Sequence, residues 1–264
     1  MSENPTHPRG DGTPESPTPC GILLIDKQPG FTSMDVCAII RGRLRKGGAP
    51  KRIKVGHGGT LDPMATGLLV VLVGKATRLC NQIMVGEKTY DATIDFSASS
   101  STDDAEGEIT RHAGVRVIDE PTLIATLEKF QGTILQRPPA FSAMRVGGRR
   151  AHEMARAGEQ VVLAERPVFV RTIRILEFAW PSVRVEIVCG KGTYIRSLAR
   201  DIGALLATKG APVGGMLTAL RRTRSGEFDV AAARTIDDVP SPLGQADLAR
   251  PPGYAGSDTG TESS

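Results

Sequence analysis

"VGHGGTLDPMATGLL", Val55–Leu69, places a pliant loop directly against an apolar run. Gly56, Gly58 and Gly59 surround His57, one carboxylate follows at Asp62, and residues 67–73 then read "GLLVVLV". A continuous apolar run of this length predicts a strand covered on both faces. The glycines permit unusual backbone angles and the close approach of another molecule, and Pro63 restricts Asp62 to extended conformations. The acid is thus held in a defined direction beside a central strand. Taken alone, the loop fits a capping acid as well as a chemical one.

Outward from this stretch the periodicities change. "GILLID" (21–26) predicts a second buried strand. "TSMDVCAIIRGRLRK" predicts a helix capped by Thr32 or Ser33, with Val36, Ile39, Ile40 and Leu44 on one face. "KATRLCNQIM" also reads as helical. "TYDATIDF" (89–96) alternates, with Tyr90, Ala92, Ile94 and Phe96 on one side. Residues 121–132 have helical spacing behind Pro121. "PVFVRTIRILEFAW" and "VRVEIVC" predict two strands around a turn at Pro181 and Ser182. "GKGTYIRSLARDIGALLATKG" predicts a helix with Tyr194, Leu198, Ile202 and Leu205 on its apolar stripe, ending at Gly210. "MLTALRRTRSG" supplies a last strand. Antiparallel-looking strand runs with inserted helices predict the α+β class.

The ends differ in kind. Residues 1–19 contain five prolines and almost no apolar side chain, which predicts a disordered tail. Residues 239–264 read similarly, as a disordered or irregular C-terminal tail, leaving 20–238 as one folded domain. The four cysteines (20, 37, 80, 189) lack zinc or disulfide spacing and suit a reducing compartment. No signal peptide and no apolar segment of the ~18 residues needed for a membrane span are present, so a cytoplasmic protein is expected. The histidines (7, 57, 112, 152) are far apart and predict no metal site. Neither "VGKATR" nor "GKGTY" has the glycine spacing of a phosphate loop, and "STDDAEGEI" reads as a hairpin turn.

Charge is uneven. The net value is +4, yet residues 41–54 hold seven cations (Arg41, Arg43, Arg45, Lys46, Lys51, Arg52, Lys54) and no acid. Further clusters lie at Arg145, Arg149, Arg150 and at Arg221, Arg222, Arg224. Three such clusters point to a polyanion, because phosphate binding gains from counterion release. In "GKGTYIRSLARD", Arg196 and Arg200 share a helix face, with Tyr194 in the same turn.

Six motifs in order, "GILLIDKQPGFTS", "GHGGTLDPMATGLL", "KTYDATIDF", "RPPAFSAMRVGGRRAHEMARAG", "GKGTYIRSLARDIG" and "LRRTRSGEF", resemble the TruB family of tRNA pseudouridine synthases from Gly21 to about Phe228. The resemblance implies the pseudouridine synthase fold, a mixed, mostly antiparallel sheet with flanking helices and a central cleft. It implies isomerisation of uridine-55 in the tRNA T-loop without cofactor or metal, by a monomer. Asp62 becomes the catalytic nucleophile and Tyr90 the platform for the target base. Tyr194 and Arg196 line the pocket, with Arg196 paired to Asp62. His57 fills the space left by extruded nucleotides, Leu220 contacts substrate, and Lys27 supports the active-site wall.

Burial disfavours an ionised carboxylate, and an adjacent guanidinium offsets that cost, which gives the pairing its chemical sense. The chain departs from the family pattern at Gln28 (usually proline), Phe141 (often tyrosine), Arg145 (often lysine) and His152 (often aromatic). Residues 239–264 are too short and polar for the small β-rich RNA-binding domain of many bacterial members, so a short form is expected. Two rivals stand beside this reading. A non-catalytic RNA-binding or tRNA-folding protein of the same fold would use the basic clusters alone, and a hydrolase would use Asp62 as general base without the usual metal or histidine partners.

Overall fold

The apolar run forms β3 (Thr66–Val73), and both of its faces are covered. Leu69, Val71 and Val73 enter one core cluster, while Leu68, Val70 and Leu72 enter a second on the opposite face. This double burial explains a run that does not alternate. Each such side chain contributes roughly 1.5–3 kcal/mol relative to exposure.

The computed structural model describes residues 18–142, 144–159 and 161–251. In chain order its elements are β1 (Gly21–Lys27), α1 (Ser33–Lys46), β2 (Val55–His57), β3, a 3-10 turn (Gly74–Leu79) leading into α2 (Cys80–Val85), and β4 (Lys88–Asp95). There follow the hairpin β5 (Ala98–Ser100) and β6 (Ile109–Arg111), α3 (Glu120–Glu128), β7 (Gly132–Gln136), and the ribbon β8 (Arg145–Val146) and β9 (Arg149–Arg150). The remainder is α4 (Ala151–Arg156), β10 (Arg166–Ala179), β11 (Ser182–Cys189), α5 (Ile195–Leu206), β12 (Met216–Ser225), β13 (Phe228–Asp229) and β14 (Arg234–Thr235).

A ten-stranded sheet runs β14-β1-β3-β12-β4-β11-β10-β7, with β2 on β3 and β13 on β12. Among the described strands only β14 on β1 and β12 on β3 pair in parallel, so the sheet is mixed and mostly antiparallel. Insertion of β12 between β3 and β4 positions the site. Arg222 then lies opposite both Gly67 and Tyr90, two elements more than 130 positions away in the chain.

Several details differ from the sequence expectation. Thr32 caps α1 through a reciprocal box with Asp35, which leaves Ser33 as the first helical residue. On α5 the buried stripe is Ile195, Leu198, Ala199, Ile202 and Leu206, whereas Leu205 is 50% exposed. Tyr194 is the N-cap rather than part of that stripe, and the helix stops at Ala207, before Gly210. The expected tail from Val239 is not free as far as residue 251. Val239, Leu243 and Leu248 are buried, and Ala249 bridges Ile22 beside β1. Three buried apolar side chains and the backbone bonds of Ala249 seat this polar stretch against an otherwise open strand edge, an outcome that composition averages conceal. The rest of that tail, and residues 1–17 of the N-terminal one, lie outside the described residues. All four cysteines are free, and no described helix is long and apolar enough to cross a membrane.

Candidate active site

Asp62 sits on the loop between β2 and β3, its side chain 31% exposed. Ala65 N donates to the Asp62 backbone oxygen, and no described backbone group donates to the carboxylate, so the acid is not used as a turn cap. Arg196 Nε stands 2.9 Å from Asp62 Oδ2, as the resemblance implied. The guanidinium is buried. Its Nη1 lies 3.4 Å from Asp104 Oδ2 and donates to Thr102 O, while Nη2 donates to Phe141 O. Nε has no aligned hydrogen-bond acceptor among the described residues. Its contact with Asp62 is a charge pair, and the lone pairs of the carboxylate are left for other partners.

Asp104 was not singled out in the sequence. The stretch does form the turn of the β5–β6 hairpin, but the turn folds inward and buries Asp104 at 2% exposure. Thr102 Oγ1 and Glu106 N donate to its Oδ1, leaving Oδ2 to face Arg196. One guanidinium therefore sits between two carboxylates of different exposure.

Arg222 carries the largest correction. With Arg221 and Arg224 it read as part of a phosphate-binding cluster, yet it is 2% exposed. It donates to Leu68 O, Thr60 O and Gly59 O, at 2.8, 3.3 and 3.1 Å. Arg221 pairs with Asp26 at 2.7 Å and Arg224 with Asp229 at 3.8 Å. Only Arg222 is consumed inside the fold; Arg221 and Arg224 pair at the surface, with side chains 41% and 56% exposed. Gly58 in the loop and Gly67 on β3 likewise answer to packing, whereas Gly56 and Gly59 keep room around them. A side chain at Gly67, where φ is +94°, would meet Arg222 O at 2.3 Å, and one at Gly58 would meet Ile83 at 2.4 Å.

Tyr90 is buried on β4 with its phenol close to Arg222 and Asp62, and burial pushes its pKa up, so the hydroxyl stays neutral. Tyr194 is half-buried. Gln136 fixes its backbone from both sides, accepting from Tyr194 N at 2.8 Å and donating to Tyr194 O at 3.1 Å, and Arg166 lies 5.3 Å over its ring. Leu220 is buried opposite Ala92 and lines, with Met64, Pro29 and Thr66, a cavity of about 370 Å³. His57 ends β2, its Nδ1 buried without a described partner. Burial, then the nearby Arg222 charge, lowers its pKa, which keeps the ring neutral.

Lys27 is fully buried and its Nζ donates to Gln28 O, Phe31 O and Pro63 O, the last being the residue after Asp62. Burial lowers its pKa from 10.5 to about 8. Below about pH 8 folded and unfolded chains both hold the proton. Between 8 and 10.5 only the unfolded chain does, so the stability cost of burying the charge falls as pH rises. The third donor is lost in that same window. We expect the single-turnover rate to decline as pH rises through about 8 while melting temperature does not, and Lys27→Met to abolish that limb of the profile. A flat rate profile to pH 9.5 would separate Lys27 from the site.

Residues 46–195 match the family described as TruB family pseudouridylate synthase (N terminal domain). The chain is 47% identical over 227 residues to "tRNA pseudouridine synthase B" of Thermobifida fusca, covering 83% of this chain and 74% of that one. It is 42% identical over 228 residues to the protein of the same name from Mycobacterium tuberculosis H37Rv, at 85% and 73% coverage. This chain belongs to the TruB family of pseudouridylate synthases. Among solved structures it resembles a crystal structure of a Cbf5-Nop10-Gar1 complex, with TM-score 0.62 and 31% identity over 83% of this chain. An H/ACA RNP bound to a substrate RNA containing 2′-deoxyuridine gives TM-score 0.59 and 30% identity. The chain spans about half the length of these two neighbours, 53% and 52%.

Of the residues the family resemblance brings forward, the fold gathers Asp62, Arg196, Tyr90 and Lys27 around one loop and places Tyr194 at the start of the helix that carries Arg196. The side chains of Arg145, Arg150 and His152 lie outside the described residues. Arg149 pairs with Glu159 at 2.8 Å.

Proposed function

We propose that this chain isomerises uridine-55 to pseudouridine in the T-loop of tRNAs, with Asp62 as the catalytic carboxylate and no cofactor. The supporting observation is the partly open Asp62 carboxylate charge-paired to a buried guanidinium. The reaction breaks N1–C1′, turns the uracil over, joins C5 to C1′, and exchanges the C5 proton for one on N1. It is redox-neutral and calls for an ionised carboxylate as nucleophile or proton acceptor in a water-poor pocket that retains free uracil. Arg196 places its positive charge 2.9 Å from the Asp62 carboxylate. Tyr90 offers its ring to a base extruded at a cost of about a few kcal/mol, and stacking returns ~1–3 kcal/mol. Tyr194 and Leu220 wall the pocket, Lys27 supports it, and His57 occupies space vacated in the T-loop. The enzyme acts as a cytoplasmic monomer. The decisive measurement is uridine-to-pseudouridine conversion in a T-stem-loop RNA with no additive; a single converted position is expected, and RNA binding without conversion would instead support the non-catalytic reading.

The remaining basic run supplies the grip on RNA. Arg41, Arg43 and Arg45 donate to Val55 O, to Ile236 O and Val239 O, and to Lys51 O, which commits them to the fold. Lys46, Lys51, Arg52 and Lys54 are exposed and have no ion-pair partner among the described residues. Replacing Lys51, Arg52 and Lys54 together by Gln should weaken T-stem-loop binding and flatten the log–log salt slope by about 2–3. An unchanged slope would remove this run from the interface.

A further inference from the structure

We propose that Ser33 is a positioning residue for Asp62, holding the peptide unit before the catalytic acid so that the carboxylate keeps one bearing. The inference rests on the reading of Asp62 as the catalytic group. Ser33 Oγ accepts from Leu61 N at 2.8 Å and donates to Leu61 O at 3.0 Å, so one buried hydroxyl serves both polar groups of the residue adjoining Asp62. It takes the place that a neighbouring strand would fill.

The hydroxyl has no duty to its own helix. Thr32 supplies the cap and locks it with Asp35, and that reciprocal box fixes where Ser33 sits. Ser33 is 2% exposed, and Leu61 is buried beneath the loop at 3%. On the far side of Asp62, Pro63 O accepts from Lys27 Nζ at 3.1 Å and Gly30 N at 2.9 Å. Both neighbours of the acid are therefore tied to the segment from Lys27 to Ser33, while Arg222 holds Gly59 and Thr60 before them.

The backbone has to do this because no described group fixes the direction of the side chain. No described group donates a hydrogen bond to the Asp62 carboxylate, and the Arg196 Nε contact is unaligned. A charge pair of that kind fixes distance more than direction. With Leu61 released, the carboxylate would swing about its own peptide, and a misplacement of about 1 Å at a reacting group costs on the order of 10²-fold in rate. Ser33 touches no reacting atom and acts only through the chain.

The test is single-turnover conversion of a T-stem-loop RNA under saturating enzyme, with RNA affinity measured separately. Ser33→Ala should lower the rate by about tenfold to a hundredfold, with RNA affinity within about twofold of wild type. Ser33→Thr, which keeps the hydroxyl, should recover most of the rate. The wild-type to Ser33→Ala rate ratio should persist on cooling well below the melting temperature. A ratio that returns to one on cooling would mean a lost folded fraction and overturn the proposal. So would a Ser33→Ala rate equal to wild type, an affinity loss as large as the rate loss, or equal losses in the alanine and threonine variants. Asp62→Asn is assayed in parallel: activity there sinks the reading of Asp62, whereas an inactive Asp62→Asn beside a wild-type-like Ser33→Ala sinks only the role of Ser33.

Discussion

Asp62→Asn should lower conversion of T-stem-loop uridine by on the order of 10⁴ or more, to below detection in an ordinary assay, while RNA affinity should stay within about twofold. The substitution removes the negative charge and the nucleophilic oxygen but keeps the shape. The fold has reason to survive it. Arg196 keeps Asp104 at 3.4 Å and its acceptors Thr102 O and Phe141 O, and the loop keeps its bonds from Ser33, Lys27 and Arg222. On the proposed reading, RNA binding draws on phosphate contacts elsewhere. Equal rates in the two proteins would end the assignment, and a loss of binding in proportion to rate would make Asp62 a binding residue only.

Arg196→Met has the second large effect, and it divides into two parts. The side chain that goes is 6% exposed and faces a nearly fully buried carboxylate, Asp104, at 3%. Removing one member of such a pair typically costs about 3–5 kcal/mol, because the other charge is left uncompensated. A lower melting temperature and denaturation midpoint should follow, together with at least about a 10²-fold loss in rate. The double change Arg196→Met with Asp104→Asn separates stability from catalysis. Neutralising Asp104 removes the stranded charge, so much of the stability should return, while the rate should not, since Asp62 still lacks its cation. Arg196→Lys tests geometry: a single ammonium cannot reach Asp62, Asp104, Thr102 O and Phe141 O as the fork does, so it should fold better than the methionine variant yet stay slow. Recovery of rate with stability in the double variant would show that Arg196 is structural.

The sequence by itself determined the main strands and helices and brought Asp62 forward as a candidate. A run without alternation at residues 67–73 requires cover on both faces, and β3 has it. Alternation through residues 89–96 put Tyr90, Ala92 and Ile94 inward, and the hydroxyl residues Thr32 and Ser33 marked the start of α1, where the fold makes Thr32 the cap. These are local rules, in which spacing alone carries the information. Only the tertiary structure decided partnership. Ser33 meets Leu61 across 28 positions, Gln136 meets Tyr194 across 58, and Arg222 meets Gly59 across 163. Nothing in a cation's neighbours in sequence says whether it will face phosphate or a buried carbonyl. Arg222 is turned inward because β12 slots between β3 and β4 at a register that sets it against the loop. Asp104 and the chain from Val239 to residue 251 went unnoticed for the same reason: a hairpin turn and a polar tail become parts of a core only when long-range contacts give their few buried groups somewhere to go.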